Sequence, residues 1–390
     1  MAQAREFDLI VWGATGFTGR LVAEYLAERY TDGSLTWAMA GRSAEKLAEV
    51  ARLIGAPAGL PTVLADADDP ATMRSMAERA QVILTTVGPY QLHGSDLVAA
   101  CAAAGTAYVD LCGEPNWMRR MIDAHHEQAQ ASGARIVFSC GFDSIPFDLG
   151  VLTLQEAAQA RFGKPAPRVK GRVRKSKGGF SGGTAASLRA TLAAGVRDPA
   201  VVKLMLDPFA LTPGFAGPGQ PNGMLPYYDE AVGAWVAPFI MAPINTKNVH
   251  RTNALAGHPW GTDFRYDEMT IAPGLGELGK AAAEAIASAN PLGAPGGPKP
   301  GEGPSREQRE SGYFDILFIG EMPDGERIET VVTGDRDPGY GSTSRMIAEA
   351  ALCLIRDADG AGGVWTPGAL MGVSLRKRLE AHAGLRFIAN

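Results

Sequence analysis

The first third of the chain alternates short apolar runs with longer segments of helical composition. The apolar runs cover residues 9–12, 35–40, 62–65, 82–87, 107–109 and 135–138. The helical segments between them cover residues 17–29, 44–53, 72–78, 95–104 and 117–132. Strands this short and apolar are typical of a parallel sheet that is buried on both faces. Their alternation with helices predicts right-handed crossovers and a Rossmann-type doubly wound α/β fold.

The pattern changes after residue 147. A helix is expected at 148–161, and Pro165-Ala166-Pro167 follows it. Within 168–176, apolar or small residues alternate with cationic ones, which is the period of a strand with one solvated face. A helix at 185–194 and strands at 315–320 and 327–333 complete the signals. They predict a second α+β domain built on an antiparallel or mixed sheet.

These patterns divide the 390 residues into domains. We expect a dinucleotide-binding domain at 1–147 and an α+β substrate or dimerisation domain at 148–338. Residues 290–303 are mostly Gly and Pro, and they predict an exposed, mobile loop. Beyond residue 338, apolar residues recur at helical spacing from Met346 to Leu354 and predict a helix with one buried face. Periodicity alone does not show which domain that helix packs against.

Composition narrows the functional classes. The net charge of −5 gives no basic face for nucleic acid. The four cysteines are far apart and the six histidines form no metal-ligand pattern, so we expect neither a disulfide framework nor a metal site. The first residues lack the apolar core of a signal peptide, and no stretch approaches the roughly 18 apolar residues of a membrane span. A cytoplasmic protein is expected.

A glycine motif marks the first strand–helix junction. It reads Gly13-Ala14-Thr15-Gly16-Phe17-Thr18-Gly19. In such a motif, Gly13 permits the turn off the strand, Gly16 lets the backbone approach a pyrophosphate, and Gly19 lets helix and strand pack closely. Free N–H groups at the helix start then face the phosphates. We therefore expect Gly13, Thr15, Gly16, Phe17, Thr18 and Gly19 to bind a dinucleotide.

The ends of the next strands predict the remaining cofactor contacts. The second strand ends at Arg42 and Ser43, where a site that prefers NAD usually has an acidic residue. An arginine here can bind a 2′-phosphate, which indicates NADP(H). Ser43 could add a hydroxyl or cap the next helix. Asp66 is expected near the adenine, or else at the next helix start. Val87, Gly88 and Pro89 are expected where nicotinamide and substrate meet.

Together these residues resemble the saccharopine-dehydrogenase-like oxidoreductases, and within them the trans-acting enoyl reductase branch. The similar segments are 13–20, 40–43, 87–90, 108–114, 140–148, 181–184, 303–305, 339–341 and 366–368. The resemblance implies a Rossmann domain, an inserted α+β domain, and a segment 339–390 that returns to the first domain. It also implies NADP(H) chemistry on a carbon–carbon double bond of a polyketide-derived or lipid chain, which a partner synthase or carrier protein presents. We further expect a homo-oligomer.

Enoyl reduction calls for particular side chains. Hydride addition to the β-carbon produces an enolate, which needs a hydrogen-bond donor and then a proton. The candidates are Tyr90 and Tyr108, near the ends of the fourth and fifth strands, followed by Asp143 and Ser144 after the sixth. Tyr108 could equally be a core aromatic, and Asp143 could brace the turn that contains Ser144.

Two further segments have open interpretations. Residues 208–243, rich in Pro, Gly and aromatic residues, could line an apolar substrate channel, form an oligomer or peripheral membrane contact, or belong to the core. Residues 181–184 could bind an anion at a helix start or simply begin that helix.

Two other functions compete with enoyl reduction. An amino-acid-derived imine, as in saccharopine enzymes, would need a cationic pocket, for which Arg172, Arg174 and Lys175 are available. A non-catalytic, lipid-associated NADP-binding scaffold would keep the glycine motif but lack an acid beside the nicotinamide.

Overall fold

The apolar runs of the first third form a parallel sheet. The computed structural model describes residues 5–179, 182–289 and 302–390. Six strands of this sheet come from the first part of the chain: β1 (Phe7–Trp12), β2 (Trp37–Gly41), β3 (Thr62–Leu64), β4 (Ala80–Thr85), β5 (Ala107–Val109) and β6 (Arg135–Val137). Their spatial order is β6-β5-β4-β1-β2-β3, so the winding direction reverses between β1 and β4. A ligand crevice is expected at the carboxyl ends of these two strands.

Helices connect these strands and cover both faces of the sheet. They are α1 (Phe17–Arg29), α2 (Ala44–Leu53), α3 (Pro70–Arg79), α4 (Tyr90–His93), α5 (Ser95–Ala104), α6 (Pro115–Ser132) and α7 (Ile145–Phe162). Side chains cap two of them: Ser43 Oγ accepts from Lys46 N–H at the start of α2, and Asp69 accepts from Ala71 N–H at the start of α3. The Rossmann-type doubly wound sheet predicted from the sequence is confirmed.

A second, mixed sheet follows, with seven strands. From the middle of the chain it takes β7 (Arg168–Lys177), β8 (Tyr227–Asp229), β9 (Ala234–Pro238), β10 (Arg265–Ile271), β11 (Tyr313–Glu321) and β12 (Arg327–Gly334). β7 and β10 are parallel neighbours, whereas the other pairs are antiparallel. Its helices are α8 (Gly182–Arg197), α9 (Pro199–Leu206), α10 (Ala242–Leu255), α11 (Gly276–Ser288) and α12 (Arg306–Glu310). This is the second α+β unit that the sequence predicts.

The end of the chain joins both sheets. Its elements are α13 (Thr343–Arg356), β13 (Gly363–Trp365), α14 (Pro367–Leu370), α15 (Gly372–Arg378) and β14 (Leu385–Ala389). β13 adds to the first sheet beside β6, while β14 adds to the second sheet beside β12. The buried helix α13 packs on α1, where the Tyr25 hydroxyl donates to Glu349 Oε1 at 2.6 Å. The domain limits at residues 147 and 338 remain predictions.

One prediction about β7, that its cationic side chains face solvent, is wrong for Arg172. Arg172 does not lie on a solvated strand face, because its side chain is fully buried. Its guanidinium pairs with Asp229 at 2.7 Å and with Asp267 at 3.0 Å. Alternation along the strand predicted exposure here, but these two carboxylates from β8 and β10 neutralise the charge in the interior. Arg174 is more exposed and pairs with Asp315.

Two predicted segments lie partly outside the residues that the structure describes. Most of the Gly- and Pro-rich segment 290–303, namely residues 290–301, lies outside the described residues, as does Ser181 in the segment 181–184. Among the residues that the structure describes, no helix is long and apolar enough to cross a membrane.

Candidate functional site

The glycine motif forms a tight turn between β1 and α1. Gly13 has a φ of +89°, and a Cβ placed there would lie 2.6 Å from Val87 Cγ2. A Cβ on Gly19 would lie 2.1 Å from the carbonyl oxygen of Gly13, so helix and strand approach as closely as glycine allows. Gly16 begins α1 without a side-chain cap. The first-turn N–H groups at Phe17 and Thr18 are therefore available to a pyrophosphate, and the turn fits a dinucleotide.

The other cofactor candidates lie at the carboxyl ends of β2 and β3. Arg42 is exposed and makes no hydrogen bond or ion pair with the described part of the chain, so its guanidinium can receive a 2′-phosphate. Ser43 serves as the cap of α2. Asp66 Oδ1 accepts from Asp68 N–H at 3.1 Å, which makes a local turn, and Asp69 rather than Asp66 caps α3.

The aromatic side chain of Phe17 has a different environment from the one expected of a cofactor contact. Its ring packs edge-on against Tyr340 at 5.2 Å between centroids, and the Arg309 guanidinium lies 5.8 Å from it. Phe17 thus joins the nucleotide loop to α12 and to the segment that precedes α13. The cofactor contact expected of Phe17 stays a prediction, and its backbone N–H at the start of α1 is the group available for it.

A cavity of about 470 Å³ opens at the carboxyl ends of the parallel strands, between the two sheets. The first sheet contributes Thr18, Thr86, Gly88, Tyr90 and Asp143 to its wall. The second half of the chain contributes apolar groups, among them Leu188, Met205, Phe239, Ile240, Met241 and Ile244. Among the described lining residues there is one carboxyl group and no Lys, Arg or His. This cavity suits an apolar substrate and offers no cation to a substrate carboxylate.

Part of the aromatic segment 208–243 therefore lines the cavity. Residues 239–241 and 243 belong to its wall, but other parts of the segment pack internally. Phe209 is buried, with its ring 5.4 Å from that of Phe215 and 4.7 Å from His250. Trp235 lies on β9 with Lys280 over its ring. The segment combines a channel wall with ordinary core.

Two of the four catalytic candidates are held in the core away from the cavity. Tyr108 is fully buried, and its hydroxyl donates to Asp110 Oδ2 at 2.9 Å. Ser144 is fully buried, and its Oγ accepts from Asn248 Nδ2 at 2.8 Å. Neither residue lines the cavity. Their placement argues against direct contact with a substrate.

Tyr90 reaches the cavity, but its hydroxyl is engaged elsewhere. The hydroxyl accepts from Leu111 N–H at 3.1 Å and lies 3.4 Å from the Thr85 carbonyl, to which it donates. Burial raises the pKa of this phenol well above its usual value. A buried phenol whose proton is already hydrogen-bonded is a poor acid, so Tyr90 is better suited to shaping the wall.

Asp143 is the candidate that the geometry favours. It lines the cavity, and its Oδ1 is buried without a hydrogen-bond partner. Burial raises the pKa of this carboxyl to about 7. A carboxyl group of this kind holds a proton near neutral pH and can give it to a reacting carbon.

A second carboxyl behind Asp143 has no counterpart among the sequence candidates. Glu268 of β10 is fully buried, and its Oε2 accepts from Asn245 Nδ2 at 2.9 Å. Burial raises its pKa well above the usual value, and the nearby Asp143 carboxyl raises it further. Its strand, β10, also contains Arg265, Asp267 and Thr270, so no local sequence signal marks Glu268 as buried. Within the described residues, no group of three His, Cys, Asp or Glu side chains is arranged to hold a metal ion.

The cations that an imine substrate would need are not at this cavity. Arg172 is buried in its two ion pairs, and Arg174 pairs with Asp315. Lys175 is exposed on β7 and does not line the cavity. The arrangement therefore disfavours a substrate that carries several carboxylates.

Comparison with known proteins agrees with this geometry. Residues 9–137 match the family described as saccharopine dehydrogenase NADP binding domain. A Mycobacterium tuberculosis protein provisionally named a trans-acting enoyl reductase is 42% identical over 407 residues, which cover 97% of each chain. The trans-acting enoyl reductase of Mycobacterium ulcerans is 39% identical over 409 residues, which cover 96% of each.

A solved structure shows the same fold at low sequence identity. Saccharopine dehydrogenase (L-Glu forming) from Saccharomyces cerevisiae aligns with a TM-score of 0.55 and 11% identity, over 98% of this chain and 99% of that one. At this identity the similarity concerns the fold alone. The sequence relatives carry the assignment: the chain belongs to the trans-acting enoyl reductase family of saccharopine-dehydrogenase-like proteins, and it is an NADP(H)-dependent oxidoreductase.

Proposed function

We propose that this protein reduces the carbon–carbon double bond of an enoyl thioester on a polyketide-derived or lipid chain, which a partner synthase presents. The names of the two mycobacterial relatives support the reaction and a partner that acts in trans. The observation that carries the proposal is Asp143, the one carboxyl among the described residues that line the cavity, where no Lys, Arg or His is present.

In this reaction the cofactor site, the apolar cavity wall and Asp143 have separate roles. NADPH supplies the hydride to the β-carbon when it is bound at the glycine turn. The apolar wall formed by Phe239, Ile240 and Ile244 holds the acyl chain and excludes water. Asp143 then gives its proton to the α-carbon of the enolate and becomes a carboxylate. The product is a saturated thioester, and the cofactor leaves oxidised by two electrons.

The enolate oxygen needs a hydrogen-bond donor until the proton arrives. Ser187 of α8 lines the cavity, and its Oγ lies 3.7 Å from the position that a Cβ on Gly88 would occupy. It therefore lies beside the turn where the nicotinamide is expected. We assign the enolate-stabilising donor to this hydroxyl.

The proposal is tested by anaerobic oxidation of NADPH. The acceptors are an enoyl thioester, an amino-acid-derived imine, and buffer alone. Oxidation with the enoyl thioester is expected, at a rate that falls about 100-fold or more in Asp143→Asn, while NADPH affinity stays the same. Asp324→Asn, which changes an exposed carboxylate on the β11–β12 turn, is the matched control and should be neutral.

Two results would contradict it. Oxidation with imines alone would favour the saccharopine-type reaction. Tight NADPH binding without oxidation by either acceptor would favour a non-catalytic scaffold.

A further inference from the structure

Helices α8 and α9 form a hairpin over the cavity. Its inner side lines the cavity with Ser187, Leu188 and Met205. The buried Lys247 of α10 holds α9 in place, because its Nζ donates to the carbonyl oxygen of Met205 at 3.0 Å. The hairpin is therefore part of the cavity wall, and a molecule that contacts its exposed residues lies close to the cavity.

The hairpin also carries apolar side chains that are exposed beyond the cavity. Leu192 and Val196 of α8 are 62% and 88% exposed, and Val202 and Leu206 of α9 are 45% and 77% exposed. Each pair has the i, i+4 spacing that places both side chains on one helix face. The helices are adjacent here, since a Cβ on Gly195 would lie 3.4 Å from Val202 Cγ2. We call these four side chains together the hairpin face.

The apolar side chains of α9 are unusually exposed. Its sequence, Pro-Ala-Val-Val-Lys-Leu-Met-Leu, is largely apolar, yet none of its eight residues is buried. A helix of this composition is normally covered by other protein, and an exposed apolar patch marks a contact site.

Unpaired cations surround the hairpin face. Arg189, Arg197 and Lys203 are exposed, and none of them has an ion-pair partner in the described part of the chain. The carboxylates of the same hairpin are used locally: Asp198 accepts from Ala200 N–H, and Asp207 accepts from Phe209 N–H. The surface therefore combines an apolar centre with a cationic rim, and its complement is an apolar surface with acidic side chains around it.

We propose that the hairpin face docks the acidic, apolar surface of a separate folded protein domain, which delivers the thioester-bound acyl chain into the cavity beneath. This proposal rests on the proposed function, and it names the part of the chain that a partner recognises. The cavity-lining residues of the hairpin touch the substrate, while the hairpin face touches the protein that carries it.

Two other occupants fit the surface less well. A second copy of this chain packed face to face would bring Arg189, Arg197 and Lys203 close to their own copies, which costs free energy. A membrane surface is normally engaged by helices that carry aromatic residues, and α8 and α9 contain none.

The test compares one enoyl group in two forms. In the first form it is attached to an acyl carrier domain of a polyketide synthase from the same organism, and in the second to N-acetylcysteamine. The variant combines Val196→Asp with Lys203→Glu, and both positions are exposed. The control combines Leu278→Asp on α11 with Arg52→Glu on α2, which are an exposed apolar residue and an exposed cation outside the hairpin. Anisotropy of a labelled carrier domain measures binding without turnover.

We expect the hairpin variant to lower kcat/KM for the carrier-bound substrate about ten-fold or more, and to leave that for the small thioester unchanged. The control should be neutral with both. An equal fall with both substrates, or no change with either, would overturn the proposal.

Binding separates the two proposals. If the wild-type protein reduces neither substrate, the enoyl reductase function fails, but carrier binding that the hairpin variant loses still supports docking. An absence of carrier binding overturns docking. So does wild-type binding to phosphatidylserine vesicles that the hairpin variant loses, in the absence of carrier binding.

Discussion

At the scale of single residues, the proposed role of Asp143 predicts how the reaction depends on pH. Its burial raises the pKa to about 7, and the carboxyl must be protonated to act as an acid. We therefore expect kcat to be constant below pH 7 and to fall about ten-fold per pH unit above it. The measurement is kcat against pH with saturating NADPH and enoyl thioester. The residual activity of Asp143→Asn should lack this fall, and an unchanged profile in the variant would assign the proton to another group.

The proposed role of Arg42 predicts the cofactor preference. Arg42 lies at the end of β2, exposed and without a partner in the described chain, where the 2′-phosphate of NADPH is expected. Loss of a charge-assisted hydrogen bond costs about 1.5–3 kcal/mol, so Arg42→Ala should weaken NADPH binding about ten- to hundred-fold. NADH binding, which lacks the 2′-phosphate, should change little. Fluorescence titration with both nucleotides measures this ratio, and a parallel loss of both affinities would refute the role.

Buried carboxyls give the whole protein a pH-dependent stability. Asp148 on α7 is fully buried, and it accepts from Thr252 Oγ1 at 2.5 Å and from Gly368 N–H at 2.6 Å. Burial raises its pKa to about 7, above the value of about 3.9 expected in the unfolded chain. Between these pH values the folded state binds the extra proton, so the contribution of Asp148 to stability decreases as pH rises.

This sign can be checked with Asp148→Asn. Urea unfolding at pH 5 and pH 7 should show a smaller loss of stability on raising the pH in the variant than in the wild-type protein. Burial also raises the pKa values of Asp110 and Asp143 to about 7, so these two carboxyls should keep part of the dependence of stability on pH in the variant. Equal slopes in the two proteins would mean that Asp148 is ionised in the folded state.

At the scale of elements, the ion pairs of β7 belong to the framework of the second sheet. Arg172 is fully buried between Asp229 and Asp267. Removing one partner leaves a buried charge uncompensated, which costs about 3–5 kcal/mol. Arg172→Met should therefore lower the free energy of unfolding by that amount, while kcat of the folded protein stays close to wild type. Denaturant unfolding and steady-state kinetics measure the two effects. If the variant instead lost substrate binding and kept its stability, Arg172 would have a role in the substrate site.

The elements differ in how far the sequence predicts them. Strands β1 to β6 and helices α1 and α2 follow from local signals, since apolar runs and a helix cap lie within a few residues of each other. α10 was not predicted, because ten of its residues are buried although most are polar. Its burial depends on partners such as Glu268 and Ser144, which are distant in the sequence.

The same reason limits prediction of the site. The glycine motif is a local signal, and its turn has the geometry that it implies. The choice among the four catalytic candidates depends on which side chains find partners in the interior. The hydroxyls of Tyr90, Tyr108 and Ser144 all do, whereas Asp143 Oδ1 does not. Periodicity likewise predicts a solvated face for Arg172. The prediction is wrong because Asp229 and Asp267, which neutralise the buried guanidinium, lie in two strands that the sequence pattern does not indicate.

The whole molecule is tied together by the end of its chain. β13 completes the first sheet and β14 completes the second, while α13 packs on α1 between them. If either sheet unfolded, the C-terminal segment would detach from it, and the other sheet would lose packing that this segment provides. The cavity wall is likewise shared, with Thr18 and Gly88 on one side and Phe239 and Ile240 on the other.

This arrangement predicts that the two sheets unfold together. Calorimetry should show one transition, in which the calorimetric and van't Hoff enthalpies agree. Because NADPH binds only the folded state, it should stabilise that single transition by about 2.7 kcal/mol at a concentration 100 times its Kd. Gly19→Ala places a Cβ against the Gly13 carbonyl and should remove the NADPH-dependent shift. Two separate transitions, with only one raised by NADPH, would show instead that the sheets are independent and that the C-terminal strands do not couple them.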